Sequence, residues 1–317
     1  MTPSELTPAT EPTFYFVGMT TGKSSIMNVF PVWARYLGIT EGIQGIDCKW
    51  HDDPDVYLRV VDFLKQDPLA LGALVTTHKL DLLKASRARF DWLDPYATQL
   101  EEVSCISKRD GKLRGHAKDP ISSGLSIEAI RPSTYWGGTS AEVCILGAGG
   151  SSLALTIYLQ QQSAGRRPST IHVTNRSEKR LLEMKAVHAK MNCPVPLEYY
   201  LCPTPAENDA VVARLKEGSM VINATGLGKD APGSPLTDAV EFPGNGIAWE
   251  FNYRGELVFL DQARAQEEAR GLSVHDGWVY FVHGWLSVIR EVFNLDIPSS
   301  GPEFDALCKI AAAARKP

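Results

Sequence analysis

The segment that most constrains this chain is Val143-Cys144-Ile145-Leu146, which runs directly into Gly147-Ala148-Gly149-Gly150 and then into an amphipathic stretch over residues 152–161. The apolar run reads as a strand, the glycines as a tight turn and the following stretch as a helix. Without a Cβ the backbone can bend sharply and approach a pyrophosphate closely. The helix N-terminus then offers unpaired N–H groups and the positive end of its dipole. The spacing is G-x-G-G, with Ala154 in the third small position. Gly147, Ala148, Gly149 and Gly150 are therefore candidate cofactor-binding residues.

The next strand, expected over residues 170–174, ends in Thr174-Asn175-Arg176-Ser177. A chain selecting NAD usually places a carboxylate here for the ribose hydroxyls. This one presents Asn175, Arg176 and Ser177, with Lys179 and Arg180 close behind. A guanidinium can bind a 2′-phosphate through two charge-assisted hydrogen bonds, so the expected cofactor is NADP. A third element, Asn223-Ala224-Thr225-Gly226-Leu227-Gly228, follows another strand expected over residues 220–224. Its small residues suit close approach to a nicotinamide ribose, and a plain turn would look the same. Ala224, Thr225 and Gly226 join the candidate cofactor set.

Short apolar runs alternate with amphipathic stretches along the whole chain, the pattern of an α/β protein. Before the glycine turn, strands are expected at 13–17, 45–48 and 70–75, and a helix at 28–37. After it, a further strand is expected at 246–251 and a helix at 280–293 that packs back on the first domain. The stretch 131–140 breaks the rhythm with Pro132 and the pair Gly137-Gly138, which places a crossover between domains there. At 317 residues the chain can bury two cores. The expected division is a substrate and catalytic domain over 1–134, joined by C-terminal helices from 277–317, and a Rossmann-type, doubly wound NADP domain over 135–276.

Composition narrows the function classes. The formal net charge of -5 leaves no basic surplus for nucleic acid. No apolar run approaches the length of a membrane span. The six cysteines show no C-x-x-C pair and no metal spacing with histidine, so they read as reduced thiols in a cytoplasmic protein, and no metal is expected. The polar N-terminal stretch over residues 1–12 reads as a floppy tail. The expected partner is a small-molecule substrate, with a homodimer as the candidate assembly. Gly18-Met19-Thr20-Thr21-Gly22-Lys23-Ser24 comes close to a phosphate-binding P-loop but has three residues between its glycines instead of four, and is set aside.

The order of several motifs is more specific than any one of them. Gly72-Ala73-Leu74-Val75-Thr76-Thr77-His78-Lys79, then Asp110-Gly111-Lys112-Leu113-Arg114-Gly115-His116-Ala117-Lys118-Asp119, the glycine turn, Asn175-Arg176-Ser177, Asn223-Ala224-Thr225 and Asp276-Gly277 follow one another along the chain. In this running order the sequence resembles the shikimate/quinate dehydrogenase family, from about residue 16 to about residue 293. The resemblance implies that Lys79 and Asp119 form a catalytic pair. Oxidation of a secondary alcohol must move a proton off its oxygen as hydride leaves its carbon, and a lysine held by a carboxylate can take part in that transfer.

The departures from the family pattern concern the substrate shell. The family's Ser-x-Ser aligns with Ser24-Ser25-Ile26, so the second serine becomes Ile26, with Ser25 placed to replace it in a shifted loop. Asparagines of the family become Leu74, Ser104 and Ala117, and its late glutamine becomes Gly284. Ser24, Ser25, Thr76, Ser104 and Tyr253 are the candidate substrate-binding residues. Tyr253 and Arg254 fit either an anionic or aromatic ligand or plain surface packing. Losing amide partners removes the readout of a polyhydroxylated ring. The expectation is an NADP-dependent oxidoreductase interconverting a secondary alcohol and a ketone on a small, cyclic, carboxylated substrate other than shikimate or quinate. The alternatives are a redox-neutral elimination or isomerisation with the same pair, and a cofactor-sensing binding protein.

Overall fold

The structure, a computed structural model, describes residues 1–131, 135–229 and 231–315. Pro132, Ser133 and Thr134 of the expected crossover lie outside the described residues. The chain divides into two compact units, Met1–Asp119 with Val282–Pro317, and Pro120–Phe281. It leaves the first unit within the helix Asp119–Ile130 and returns to it within the helix Trp278–Phe293.

The first unit is built on six strands: β1 (Thr13–Gly18), β2 (Gly42–Asp47), β3 (Ala70–Val75), β4 (Trp92–Leu93), β5 (Cys105–Arg109) and β6 (Lys112–His116). Their spatial order is β2-β1-β3-β5-β6-β4. The pairs β1–β2 and β1–β3 are parallel, joined through the helices Ile26–Leu37 and Pro54–Gln66. The pairs β3–β5 and β5–β6 are antiparallel. Central β1 is buried along its whole length, which explains its unbroken run Thr13-Phe14-Tyr15-Phe16-Val17. Phe14 packs its ring 5.5 Å from Phe30 and 5.6 Å from Phe293, and Phe16 lies 4.9 Å from Trp285. The C-terminal part of helix Trp278–Phe293 thus covers β1.

Two local features depart from expectation. β2 starts at Gly42, not near residue 45, because its first three residues lie on an open edge and carry little apolar signal. The N-terminal stretch is pinned instead of floppy. The Met1 ammonium donates to the Gly45 carbonyl at 3.1 Å, the Asp47 N–H donates to the Met1 carbonyl at 2.9 Å, and the Ala9 N–H donates to Asp67 at 2.7 Å. An edge strand exposes unpaired backbone groups, and here the tail takes them up.

The hairpin β5–β6 carries the chain toward Asp119. Its two-residue turn is Asp110-Gly111, both with positive φ, the geometry that matches the twist of paired strands. Beyond it, Asp94 accepts from the N–H groups of both Ala97 and Ala117, at 2.6 and 3.3 Å. One carboxylate therefore caps the helix Pro95–Leu100 and fixes the chain two residues before Asp119.

The second unit contains β7 (Val143–Leu146), β8 (Ile171–Asn175), β9 (Leu197–Leu201), β10 (Met220–Asn223), β11 (Ile247–Glu250) and β12 (Ser273–His275). All pair in parallel, in the order β12-β11-β10-β7-β8-β9. Counted from β7 this is the 3-2-1-4-5-6 arrangement, with its topological switch between β7 and β10. Alternate residues feed two cores. Val143, Ile145, Val173, Ile222 and Trp249 fill one, and Cys144, Leu146, Val221 and Ala248 the other. With both faces buried, these strands read as continuous apolar runs. Among the described residues no helix is long and apolar enough to cross a membrane, and all six cysteines are free.

Candidate active site

The sequence-derived residues fall into two sets, one in each unit. In the first unit Lys79 opens the helix Lys79–Ser86, directly after the end of β3 and the short loop Thr76-Thr77-His78. Asp119 opens the helix Asp119–Ile130, just beyond β6. The parallel and antiparallel neighbours β3, β5 and β6 bring these two helix starts together, and Lys79 Nζ is paired directly with Asp119 Oδ2. Both side chains are largely sheltered, at 22% and 13% exposure. A helix N-terminus repels a cation and favours an anion, so Lys79 occupies the wrong end of its own helix and Asp119 the right end of the other. The carboxylate holds the ammonium where its helix alone would not.

His78, buried, caps the Lys79 helix without a side-chain cap bond and shares a hydrogen bond of 3.0 Å with the Tyr57 hydroxyl through Nδ1. Burial lowers its pKa. Lys118, next to Asp119, is drawn away to Glu291 at 2.9 Å, while His116 Nε2 is paired with Ser107 Oγ at 2.9 Å. Burial pushes His116 down to about 4, so this buried imidazole is neutral at physiological pH.

Among the expected substrate-binding residues, Thr76 is half-buried and donates its N–H to the Val17 carbonyl at 3.0 Å. Ser24 is half-buried, and Ser25 is buried at the N-cap of helix Ile26–Leu37 without a side-chain cap bond. Ile26 lies fully buried in that helix. Ser104 is buried, and its hydroxyl accepts from the Lys118 N–H at 2.7 Å. That hydroxyl serves to tie β5 to the end of β6. No Cβ neighbour would crowd Gly284, so its surroundings are open.

One residue of this neighbourhood escaped sequence reasoning. Glu102 is 4% exposed, and its Oε1 has no hydrogen-bond partner among the described residues. Burial pushes its carboxyl up to about 7, with Lys79 acting in the opposite direction and Asp119 adding to the rise. The sequence signal was the acidic pair Glu101-Glu102 set immediately before apolar Val103, a place where a solvated loop would hold both.

In the second unit the glycine turn sits at the switch point between β7 and β10. Gly147 has φ +109°, and a Cβ there would come within 3.0 Å of the Ala224 carbonyl. Only glycine fits. Gly149, the N-cap of helix Gly150–Gln160, is exposed with open space around it, and Gly150 is exposed as well. Ala148 is buried. This cradle fits a dinucleotide's pyrophosphate, because free helix N–H groups meet an unobstructed surface.

Asn175 ends β8, its side-chain amide donating to the Ser177 carbonyl at 3.1 Å, and Ser177 is the N-cap of helix Glu178–His188. Lys179 and Arg180 are engaged with Glu183 at 4.0 and 3.0 Å. The exposed Arg176 guanidinium makes no ion pair among the described residues. It remains available to a phosphate.

The loop after β10 is held from beneath by a polar network. Asn223 Oδ1 accepts from the Thr225 N–H at 3.0 Å and from its hydroxyl at 2.6 Å. The Asn223 amide donates to Glu250 Oε2. Asn252 donates to Glu250 Oε1 through its N–H and its side chain, at 2.8 and 2.7 Å, and also to the Thr225 carbonyl at 3.0 Å. Glu250 is fully buried, and burial pushes it up to about 7 against these bonds. Ala224, Thr225 and Gly226 thus lie on a braced loop. Glu250 and Asn252 were not anticipated, although an acidic residue inside the apolar run Ile247-Ala248-Trp249-Glu250-Phe251 is an audible signal. Tyr253 lies just beyond, its ring 4.7 Å from Phe281 and 5.4 Å from Trp278.

A parallel sheet with this strand order and glycine turn, joined in one chain to a unit that pairs a lysine with an aspartate, defines a two-unit α/β protein of the dinucleotide-binding class. Comparison with known proteins gives its family. No family model matches the chain. The NADP(+) shikimate dehydrogenase of Symbiobacterium thermophilum is 30% identical over 219 residues, 68% of this chain and 68% of that protein. The chain belongs to the shikimate dehydrogenase family, a family of NADP(+)-dependent oxidoreductases. Among solved structures, a shikimate dehydrogenase in complex with NADP+ superposes with a TM-score of 0.74 at 16% identity, covering 98% of each chain. The 5-ketofructose reductase of Gluconobacter sp. gives 0.68 at 16% identity, covering 96% of this chain and 98% of that one.

Proposed function

We propose that this protein is an NADP-dependent oxidoreductase that interconverts a secondary alcohol and a ketone on a small cyclic, carboxylated substrate other than shikimate or quinate. The observation that carries the reading is the direct pairing of Lys79 with Asp119 in a sheltered site whose surroundings lack the family's amides. Bound NADP supplies the hydride acceptor. The protein's own part is the proton. Lys79 Nζ, oriented by Asp119, is the group placed to hydrogen-bond the alcohol oxygen and to take its proton as the carbonyl forms.

Gly147 and the open N-terminus of helix Gly150–Gln160 would hold the pyrophosphate, and Arg176 with Ser177 the 2′-phosphate. Ala224, Thr225 and Gly226 would flank the nicotinamide ribose.

The substrate reading rests on what the first unit no longer offers. Leu74, Ser104 and Ala117 carry no side-chain amide, the Ser104 hydroxyl is taken by the Lys118 N–H, and Gly284 leaves open space. A polyhydroxylated ring would leave several hydroxyls unpaired, each costing about 1–3 kcal/mol. Even two such losses lower efficiency by a few hundredfold or more. A 5-ketofructose reductase shares the fold, which supports a family scaffold open to other substrates. Thr76, Ser24, Ser25 and, in the second unit, Tyr253 are the groups proposed to meet the substrate. The six free thiols support a cytoplasmic setting.

The test is steady-state reduction of NADP with shikimate, quinate and a panel of cyclic hydroxy acids at millimolar concentration. Turnover is expected with a panel member and negligible with the first two. An efficiency of about 10⁴ M⁻¹s⁻¹ or more on shikimate or quinate would overturn the substrate reading.

A further inference from the structure

We infer that Glu102 is a positioning residue of the Lys79–Asp119 pair, a third and buried carboxyl whose change of charge sets the proton load of the cluster. The inference rests on the reading of Lys79 and Asp119 as the proton-handling groups.

The backbone around Glu102 is fastened to Lys79 and to the segment that leads into Asp119. Val103 donates its N–H to the Lys79 carbonyl at 3.2 Å. Ser104 donates its N–H to the His116 carbonyl at 2.9 Å, and its hydroxyl accepts from the Lys118 N–H, the residue before Asp119. Glu102 is therefore the residue at the entrance to a stretch stitched between the two helix starts. Glu101, at φ +53°, turns the chain there, leaving Glu101 exposed and Glu102 buried.

A carboxyl in such a place needs a reason. Its Oε1 has no hydrogen-bond partner among the described residues, and burying an unpartnered polar group costs more than burying an alkyl chain of similar size. Core packing alone would favour an apolar residue. The charges that reach Glu102 come from Lys79 on one helix and Asp119 on the other. Burial outweighs both and brings its ionisation to about 7, within the range where such an enzyme works.

The charge balance follows directly. With Lys79 as ammonium and Asp119 as carboxylate, an ionised Glu102 gives the cluster a net charge of minus one. A protonated Glu102 makes it neutral. When a proton leaves the substrate hydroxyl, Lys79 Nζ takes it and gives one of its own protons to the ionised Glu102. The O–H bond broken on the substrate is thus matched by one formed on Glu102, and the cluster passes from minus one to neutral instead of from neutral to plus one. Linkage runs both ways: the field of Lys79 acts on Glu102, so Glu102 acts equally on Lys79.

The experiment is a ¹³C NMR titration of the full-length protein labelled at glutamate Cδ, from about pH 5 to about pH 9. It needs no substrate, so it stands or falls independently of the activity assay. Glu102→Gln assigns the resonance by its disappearance, and Glu102→Met does so if the first variant fails to fold. A midpoint near 7 is expected in the wild type. It should rise in Lys79→Met, which removes the stabilising cation, and fall in Asp119→Asn, which removes the opposing charge. A midpoint in the ordinary glutamate range, or one that stays in place in both variants, would overturn the assignment.

Discussion

Each unit of the protein buries one glutamate whose carboxyl is pushed to about 7, and the two are housed in opposite ways. Glu250, in the second unit, is enclosed by donors: the Asn223 amide on one oxygen, and the Asn252 N–H and amide on the other. Glu102, in the first, has an oxygen with no partner and answers to the charges of Lys79 and Asp119. The same burial has two uses. A carboxyl surrounded by hydrogen bonds is a brace, and it fixes the loop Asn223–Gly228 through Thr225. A carboxyl left with a bare oxygen, and acted on by the charges of an ion pair, is the one we propose to be coupled to that pair.

The strongest way to break this comparison is to remove Lys79. Lys79→Ala should lower turnover on the true substrate by about 10²–10⁴-fold, while NADP affinity, measured by fluorescence titration, stays near wild type. Asp119→Asn should behave similarly with more residual activity. Normal turnover in Lys79→Ala would remove the proposed chemistry from the first unit.

The next effect is on stability against pH. Glu102 ionises near 4.5 when unfolded and near 7 when folded, so between these values the native state holds a proton that the unfolded chain has lost. Its contribution is therefore fully present below about 4.5, shrinks as pH rises to about 7 and then stays level. The span is worth about 3 kcal/mol. Urea midpoints compared at about pH 5 and about pH 8 should show Glu102→Gln with a smaller loss than wild type. Glu250 contributes in the same direction, so the loss should shrink without vanishing.

Arg176→Ala addresses the second unit from the cofactor side. It should weaken NADP by roughly ten- to a hundredfold, the cost of about 1.5–3 kcal/mol for a charged hydrogen-bond partner, and leave NAD unchanged. Calorimetric titration of both cofactors decides it, and equal affinities for the two in the wild type would remove Arg176 from the site. The smallest effect sharpens the role of the brace. Asn223→Ala strips one donor from Glu250 and the Oδ1 acceptor that takes both the N–H and the hydroxyl of Thr225, which should cost about 1–3 kcal/mol and lower the thermal midpoint by several degrees. Turnover at saturating NADP should change little. A large loss there instead would mean that this network takes part in the chemistry.

Much of the scaffold was legible because its causes are local. The run Val143–Leu146 followed by glycines can hardly be anything but a buried strand and a close turn, and Gly147 bears out the need for a missing side chain. The β5–β6 hairpin was passed over, although Asp110-Gly111 between two short strands is a local turn signal. The N-terminal tail was misread because its partners, Gly45 and Asp47, belong to an edge strand more than forty residues away.

By itself the sequence determined the alternation of strands and helices, the glycine turn, the basic end of β8 and the residue types of the lysine–aspartate pair. Each of these depends on near neighbours or on an ordered series of motifs. Only the tertiary structure decided which polar groups lie in the dry. Glu101 and Glu102 are adjacent and chemically identical, yet one is solvated and the other buried, because a left-handed turn at Glu101 precedes a stretch in which Val103 and Ser104 donate their N–H groups to the Lys79 and His116 carbonyls. Burial and the field of distant charges are properties of the fold, and they set the protonation of a carboxyl that no local pattern could distinguish from its neighbour.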